Sequence, residues 1–182
     1  MDQDGFWALI EAAGEAAGWD AEGVADDLVC RLRELPVAEL LAFDAIQQAL
    51  MAESYRWDLW GAAELLNGGA SDDGFEYFRA WLIAQGRAVY EAALRDPDSL
   101  AEHPAVRDRD PTVDAFESED MLEVVGRAYE LATAASAAPS LAGLRGPDYP
   151  AYPPSPMGER YDVGGPEAMR RRYPRLWALD CD

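Results

Sequence analysis

The apolar residues of this chain recur at three- and four-residue spacing and almost never alternate. Phe6, Trp7, Ile10 and Ala13 share one helical face, and so do Val24, Leu28, Leu32 and Leu35. A period near 3.6 puts such residues on one stripe of an α-helix, whereas a half-buried strand needs strict alternation. No alternating β-branched run exceeds a few residues. The pattern predicts an all-α chain.

Capping and breaking residues divide the helices. Asp2 or Asp4 caps the first, and Gly14 and Gly18 weaken its end. A second runs from about Asp20 to Leu35, and Pro36 opens a third that ends near Ser54. Leu40, Leu41, Phe43, Ala45 and Leu50 give this third helix a broad apolar face, which suggests a central position. A fourth begins at Tyr55 and stops at Asn67-Gly68-Gly69. Ser71 caps a fifth, read through Phe75, Phe78, Trp81, Leu82, Gln85 and Val89 to the break at Asp96-Pro97. Residues 97–113 read as a long surface loop with a helical turn near Ser99-Leu100. Asp114 and Glu117 resemble a capping box for a sixth helix carrying Met121, Leu122, Val125, Ala128 and Leu131. The expectation is a single-domain bundle of about six helices.

The texture changes after residue 138. Pro139, Pro147, Pro150, Pro153, Pro154 and Pro156 forbid a continuous helix, and Tyr149, Tyr152 and Tyr161 are interleaved with them. This stretch reads as an extended strap, followed by a short closing helix at Pro166–Tyr173. We divide the chain into an acidic helical domain, 1–138, and a tail, 139–182, that packs on it. The tail has too little apolar mass for a core of its own.

Charge separates the two parts as well. The 35 acids face 15 bases, all arginine, for a net charge of −20. Residues 1–54 hold twelve acids and two arginines, and 55–138 hold seventeen acids and seven arginines. Residues 139–182 hold six of each, with Arg170, Arg171, Arg172 and Arg175 close together. That cluster either docks on the acidic body or is solvated. Such acidity excludes phosphate-directed nucleic-acid binding and attraction to an anionic membrane. The acidic start Met1-Asp2-Gln3-Asp4 is unlike a secretory signal, and no apolar run is long enough to span a bilayer, so the expected location is the cytoplasm. Two cysteines, Cys30 and Cys181, make neither a disulfide framework nor a zinc site, and Cys30 reads as a small buried hydrophobe.

Candidate site residues lie in two runs. In Ser71-Asp72-Asp73-Gly74-Phe75-Glu76-Tyr77-Phe78-Arg79, helical spacing gathers Asp72, Asp73, Glu76 and Arg79 at one helix end. Such a cluster either holds a ligand or supplies a general base, or else it caps the helix, offsets its dipole and forms an internal Glu76–Arg79 pair. Without histidine the aspartates are a weak metal signal, and no metal ligand is assigned. In Tyr55-Arg56-Trp57-Asp58-Leu59-Trp60, Trp57 and Trp60 share a face as pocket walls or core anchors, and Asp58 is placed to pair with Arg79 across the two helices. His103 reads as a solvated loop residue. No nucleophile motif, phosphate loop or zinc spacing is present, so catalytic residues and cofactors stay unassigned.

The blocks 55–63 and 71–83, with the opening Phe6-Trp7-Ala8-Leu9-Ile10 and the late Tyr173-Pro174-Arg175-Leu176-Trp177, resemble the bacterial domain-of-unknown-function family 4240. The resemblance is strongest over about residues 1–100, and the strap at 147–162 departs from it. It implies an α-helical domain and brings no reaction, cofactor or catalytic residue.

Two functions remain in view. The first is an interaction or regulatory module for a basic partner protein, with toxin neutralisation or DNA mimicry as special cases. The second is a small-molecule- or metal-binding enzyme with its site between the Trp57 helix and the Asp72–Arg79 helix, formed by Trp57, Asp58, Asp72, Asp73, Glu76 and Arg79.

Overall fold

The computed structural model describes residues 1–109, 115–134, 138–160 and 165–179. Among them there is no strand, and the chain is all-α. The order is α1 Gln3–Ala17, α2 Ala21–Leu32, α3 Val37–Glu53, α4 Trp57–Leu66, α5 Asp72–Ala84, α6 Arg87–Arg95, a 3-10 helix Pro97–Glu102, α7 Pro104–Arg107, α8 Asp120–Thr133, α9 Leu141–Leu144, α10 Pro166–Arg172 and α11 Pro174–Leu179. Among the described residues no helix is long and apolar enough to cross a membrane.

The helix starts follow their caps. Asp2, Asp20 and Ser71 accept from the backbone N–H groups of Gly5, Gly23 and Gly74, at 2.9, 2.9 and 3.0 Å. At the start of α8, Ser118 Oγ accepts from Met121 N at 3.3 Å. Asp114, expected there, lies outside the described residues, as do Tyr161 and Cys181.

Twelve helical segments stand where about six were expected. The expected fifth helix is two, because Gly86 adopts φ 87° and turns the chain between α5 and α6. The other added segments are short, and three of them, the 3-10 helix, α7 and α11, begin at proline, which suits a helix that then stops.

The central helix is α5 and not α3. Residues 78–86 are buried without interruption, and α5 touches α1, α2, α3, α4, α6 and α8. By contrast α3 buries one face, through Leu40, Phe43, Asp44, Gln47, Leu50 and Met51. Two other expectations fail for the same reason, that a helix packed on one side leaves its far side in solvent. Cys30 is exposed on the outer side of α2, and Leu131 on α8 is 56% exposed.

The α1–α2 connection is unusual. Gly18 and then Trp19 are left-handed, with φ 67° and 65°. Trp19 N donates to Gly14 O at 2.9 Å, the helix-ending bond of a Schellman motif. The indole then lies against two glycines from separate elements. A Cβ on Gly14 would sit 2.4 Å from the ring, and one on Gly86 would sit 3.1 Å from it. Gly86→Ala therefore combines a left-handed backbone with a blocked ring. Urea unfolding should show a loss of about 1–2 kcal/mol.

Candidate functional site

The α4–α5 junction brings together some of the candidate residues and separates others. Arg79 is 3% exposed. Its Nη1 donates to Met51 O at 2.6 Å and to the Tyr152 hydroxyl at 3.4 Å, and its Nε donates to Phe75 O at 3.3 Å. The guanidinium faces the rings of Phe75, Tyr55 and Tyr152, at 4.9, 5.0 and 5.3 Å from their centroids. Among the described residues no carboxylate forms an ion pair with it, so it pairs with neither Asp58 nor Glu76. Aromatic faces and main-chain carbonyls hold this cation instead.

Asp58 turns the other way. It accepts from Arg56 at 3.2 and 3.3 Å and from the next residue's backbone, Leu59 N, at 2.9 Å, and it lies 3.9 Å from Arg172. Its backbone carbonyl accepts from the Tyr173 hydroxyl at 2.5 Å. Trp57 and Trp60 stack at 5.4 Å, and Trp60 stacks on Phe75 at 4.7 Å, so the tryptophans extend the aromatic column that shields Arg79.

The strap lies over this junction. Met157 N donates to Tyr55 O at 2.8 Å, and Trp57 N donates to Met157 O at 3.0 Å, a single parallel bridge between strap and body. Arg145 grips buried Asp44 with two bonds of 2.8 and 2.9 Å, and its guanidinium covers Tyr149 at 4.4 Å. Burial pushes the Tyr152 phenol up, although nearby Arg79 opposes the shift. Beneath the strap remains a cavity of about 170 Å³, lined by Asp44, Gln47, Glu76, Arg145, Tyr149 and Tyr152.

Farther along, Asp98, 4% exposed, collects the start of α11. It accepts from the backbone N–H groups of Arg175 and Leu176, at 3.1 and 2.9 Å, and from Arg175 Nε at 3.0 Å. The same guanidinium reaches Asp96 and Glu102, both at 2.6 Å. Of the arginine cluster, Arg175 and Arg172 thus meet carboxylates of the body.

Asp72 and Asp73 remain exposed at the start of α5, away from Asp58 and Arg79. There they meet the start of α8. Ser118 N donates to Tyr77 O at 3.0 Å, and the Tyr77 hydroxyl donates to Glu119 Oε1 at 3.2 Å. The Glu119 charge pushes the Tyr77 phenol up, with burial, Asp73 and Glu76 adding to the shift. Asp72, Asp73, Glu117, Glu119 and Glu123 form no ion pair among the described residues, so this face is net negative. No three metal-ligating side chains gather among the described residues.

A second open feature escaped the sequence reading. His103 is half-buried beside Trp81, with ring centroids 5.8 Å apart. Its Nδ1 is sealed inside without a hydrogen-bond partner, and burial pushes its pKa below the ordinary 6.5. Only the lone histidine and the adjacent Pro104 marked it in the sequence, and neither shows burial.

A family model described as "Protein of unknown function (DUF4240)" matches residues 1–131. The match takes in the N-terminal and α4–α5 motifs and ends before the strap and the late Tyr173–Trp177 block. No curated protein and no solved structure matches the chain.

Two checks follow from this geometry. Arg79→Ala should lower unfolding stability by on the order of 3 kcal/mol, whereas exposed Asp73→Asn should cost less than about 1 kcal/mol; urea denaturation reads both. Because the native state keeps His103 neutral, its burial supports folding above pH 6.5, and that support is lost as pH falls below 6.5 and the unfolded chain takes up the proton first. The stability gap between wild type and His103→Phe should therefore move against wild type on acidification, measured as melting temperature against pH.

Proposed function

The chain belongs to the DUF4240 family, and from the geometry of its matched segment we propose that it is an interaction module that docks a basic protein partner. The supporting observation is the face shared by the first turns of α5 and α8. Asp72, Asp73, Glu117, Glu119 and Glu123 are exposed there, and the raised Tyr77 phenol registers the negative field of Glu119 first, then of Asp73 and neighbouring Glu76. A partner with clustered arginine or lysine side chains complements it. Carboxylates held this way, at helix starts, keep fixed directions because caps and the Tyr77 bridge position the elements that carry them.

The α4–α5 junction supports the reading in a different way. Its rings, Arg79 and the overlying strap occupy much of the space between those helices and leave a cavity of about 170 Å³ beneath the strap, which favours the outer acidic face for docking a large partner.

Fluorescence anisotropy of a labelled oligo-arginine peptide tests the proposal. Binding should be saturable at low salt and fade as ionic strength rises. Combining Asp72→Asn, Asp73→Asn and Glu119→Gln should weaken it roughly threefold to a hundredfold, because each exposed pair contributes about 0.2–1 kcal/mol. Glu15→Gln, Glu53→Gln and Glu130→Gln together remove the same charge from exposed positions elsewhere and should change it far less. Equal weakening by both triple variants would show a response to net charge alone and refute this docking face.

A further inference from the structure

The groove between Trp19 and His103 holds polar atoms that the fold itself leaves without partners. Gln85 is the last side chain of the α5 region and is 4% exposed. Its Nε2 donates to Trp81 O at 3.5 Å, and among the described residues its Oε1 accepts no hydrogen bond. That oxygen is not among the sealed, unpartnered atoms, so it reaches the surface, where Gln85 lines this groove and the hollow that adjoins it beyond Trp19. His103 offers the second atom. With Nδ1 sealed and unpartnered, the less costly tautomer puts the proton on Nε2, because orphaned buried N–H groups are rarer than orphaned acceptors. Nε2 is neither hydrogen-bonded nor sealed among the described residues, and His103 lines the groove. The groove thus presents one neutral acceptor and one neutral donor.

Its walls are flat and apolar. Trp19 forms one side, held down by the glycine clearances at 14 and 86, and Ala88, Val89 and Pro104 form much of the rest. A bulky residue in left-handed conformation is strained, and here the strained residue presents its ring to an open cavity. The volume is about 450 Å³, within the range of small-molecule sites. No arginine lines it, and its single carboxylate, Glu11, accepts from Arg87 N at 3.1 Å. On a chain of net charge −20 this excludes phosphate-bearing ligands.

We propose that this groove binds an uncharged, flat heterocycle that carries one hydrogen-bond donor, for Gln85 Oε1, and one acceptor, for His103 Nε2, and stacks on Trp19. The groove adjoins a hollow that runs past Trp19 and Gln85 to Glu117 of the acidic face, but none of that face's carboxylates lines the groove itself, so either assignment stands if the other falls.

Oxindole has this chemistry, a flat ring with one N–H and one carbonyl, and serves as the probe in ligand-observed NMR titration of the full chain. Saturable binding is expected. N-methyloxindole, which lacks the donor, should bind about tenfold more weakly. Ala105→Trp places an indole in the groove from an exposed position and should abolish binding. Should that variant fail to fold by circular dichroism, Ala88→Trp, also exposed, performs the same test. His103→Phe keeps a ring of similar outline and should weaken binding several-fold through loss of its donor. No saturable binding to wild type, equal affinity for the two oxindoles, or binding unchanged by the folded tryptophan variant would each overturn the proposal.

Discussion

A helix enclosed on every side must find a partner for each polar group it carries. Helix α5 meets that condition along residues 78–86, and only Arg79 and Gln85 bring long polar side chains into the stretch. The two are answered differently. Arg79 reaches the C-terminal end of α3 through the carbonyl of Met51 and is enclosed by Tyr55, Phe75 and Tyr152. A buried guanidinium without a carboxylate avoids the desolvation of a second charge, and π faces supply the compensating field. Gln85, one and a half turns later, gives its amide N–H to Trp81 and keeps an unanswered carbonyl oxygen. The arrangement of α3, α4 and the strap follows from the first solution, and the groove beside Trp19 follows from the second.

The tail attaches by a repeated device, an arginine of the neutral segment seated on an aspartate of the acidic body. Arg145 meets Asp44, Arg172 meets Asp58, and Arg175 meets Asp98. Asp44 and Asp98 are buried at 7% and 4% exposure. Carboxylates so deep in the body need cationic partners, and there the tail supplies them. The uneven charge along the chain thus has a structural use, which lowers the share of the net charge that needs an external explanation. The acids left exposed at the starts of α5 and α8 belong to the share that remains.

Much of the fold was legible because helix periodicity and capping act locally. Asp20, Ser71 and the Asn67-Gly68-Gly69 stop appear in their expected places. The central helix was misplaced because breadth of an apolar face measures composition, whereas enclosure depends on which neighbours arrive. Gly86 was passed over for a similar reason: a lone glycine within a helical pattern is read as tolerated unless its φ is known. The candidate site was legible as a list of residues and not as a constellation. Local spacing put Arg79 beside Glu76, but its partners Met51 and Tyr152 lie 28 and 73 residues away. Gln85 and His103 were invisible as a pair because nothing in either neighbourhood reports burial.

The indole of Trp19 couples three positions that are far apart along the chain. Its ring fills the space of a missing side chain on Gly14 and presses on the one missing from Gly86. A change at any of the three alters what the other two tolerate: without the indole, both glycines lose a steric reason to be glycine, and with it neither can gain a methyl group without displacing the ring. Substitutions at 14, 19 and 86 are therefore expected to travel together through descent, and a relative that keeps the tryptophan should keep both glycines.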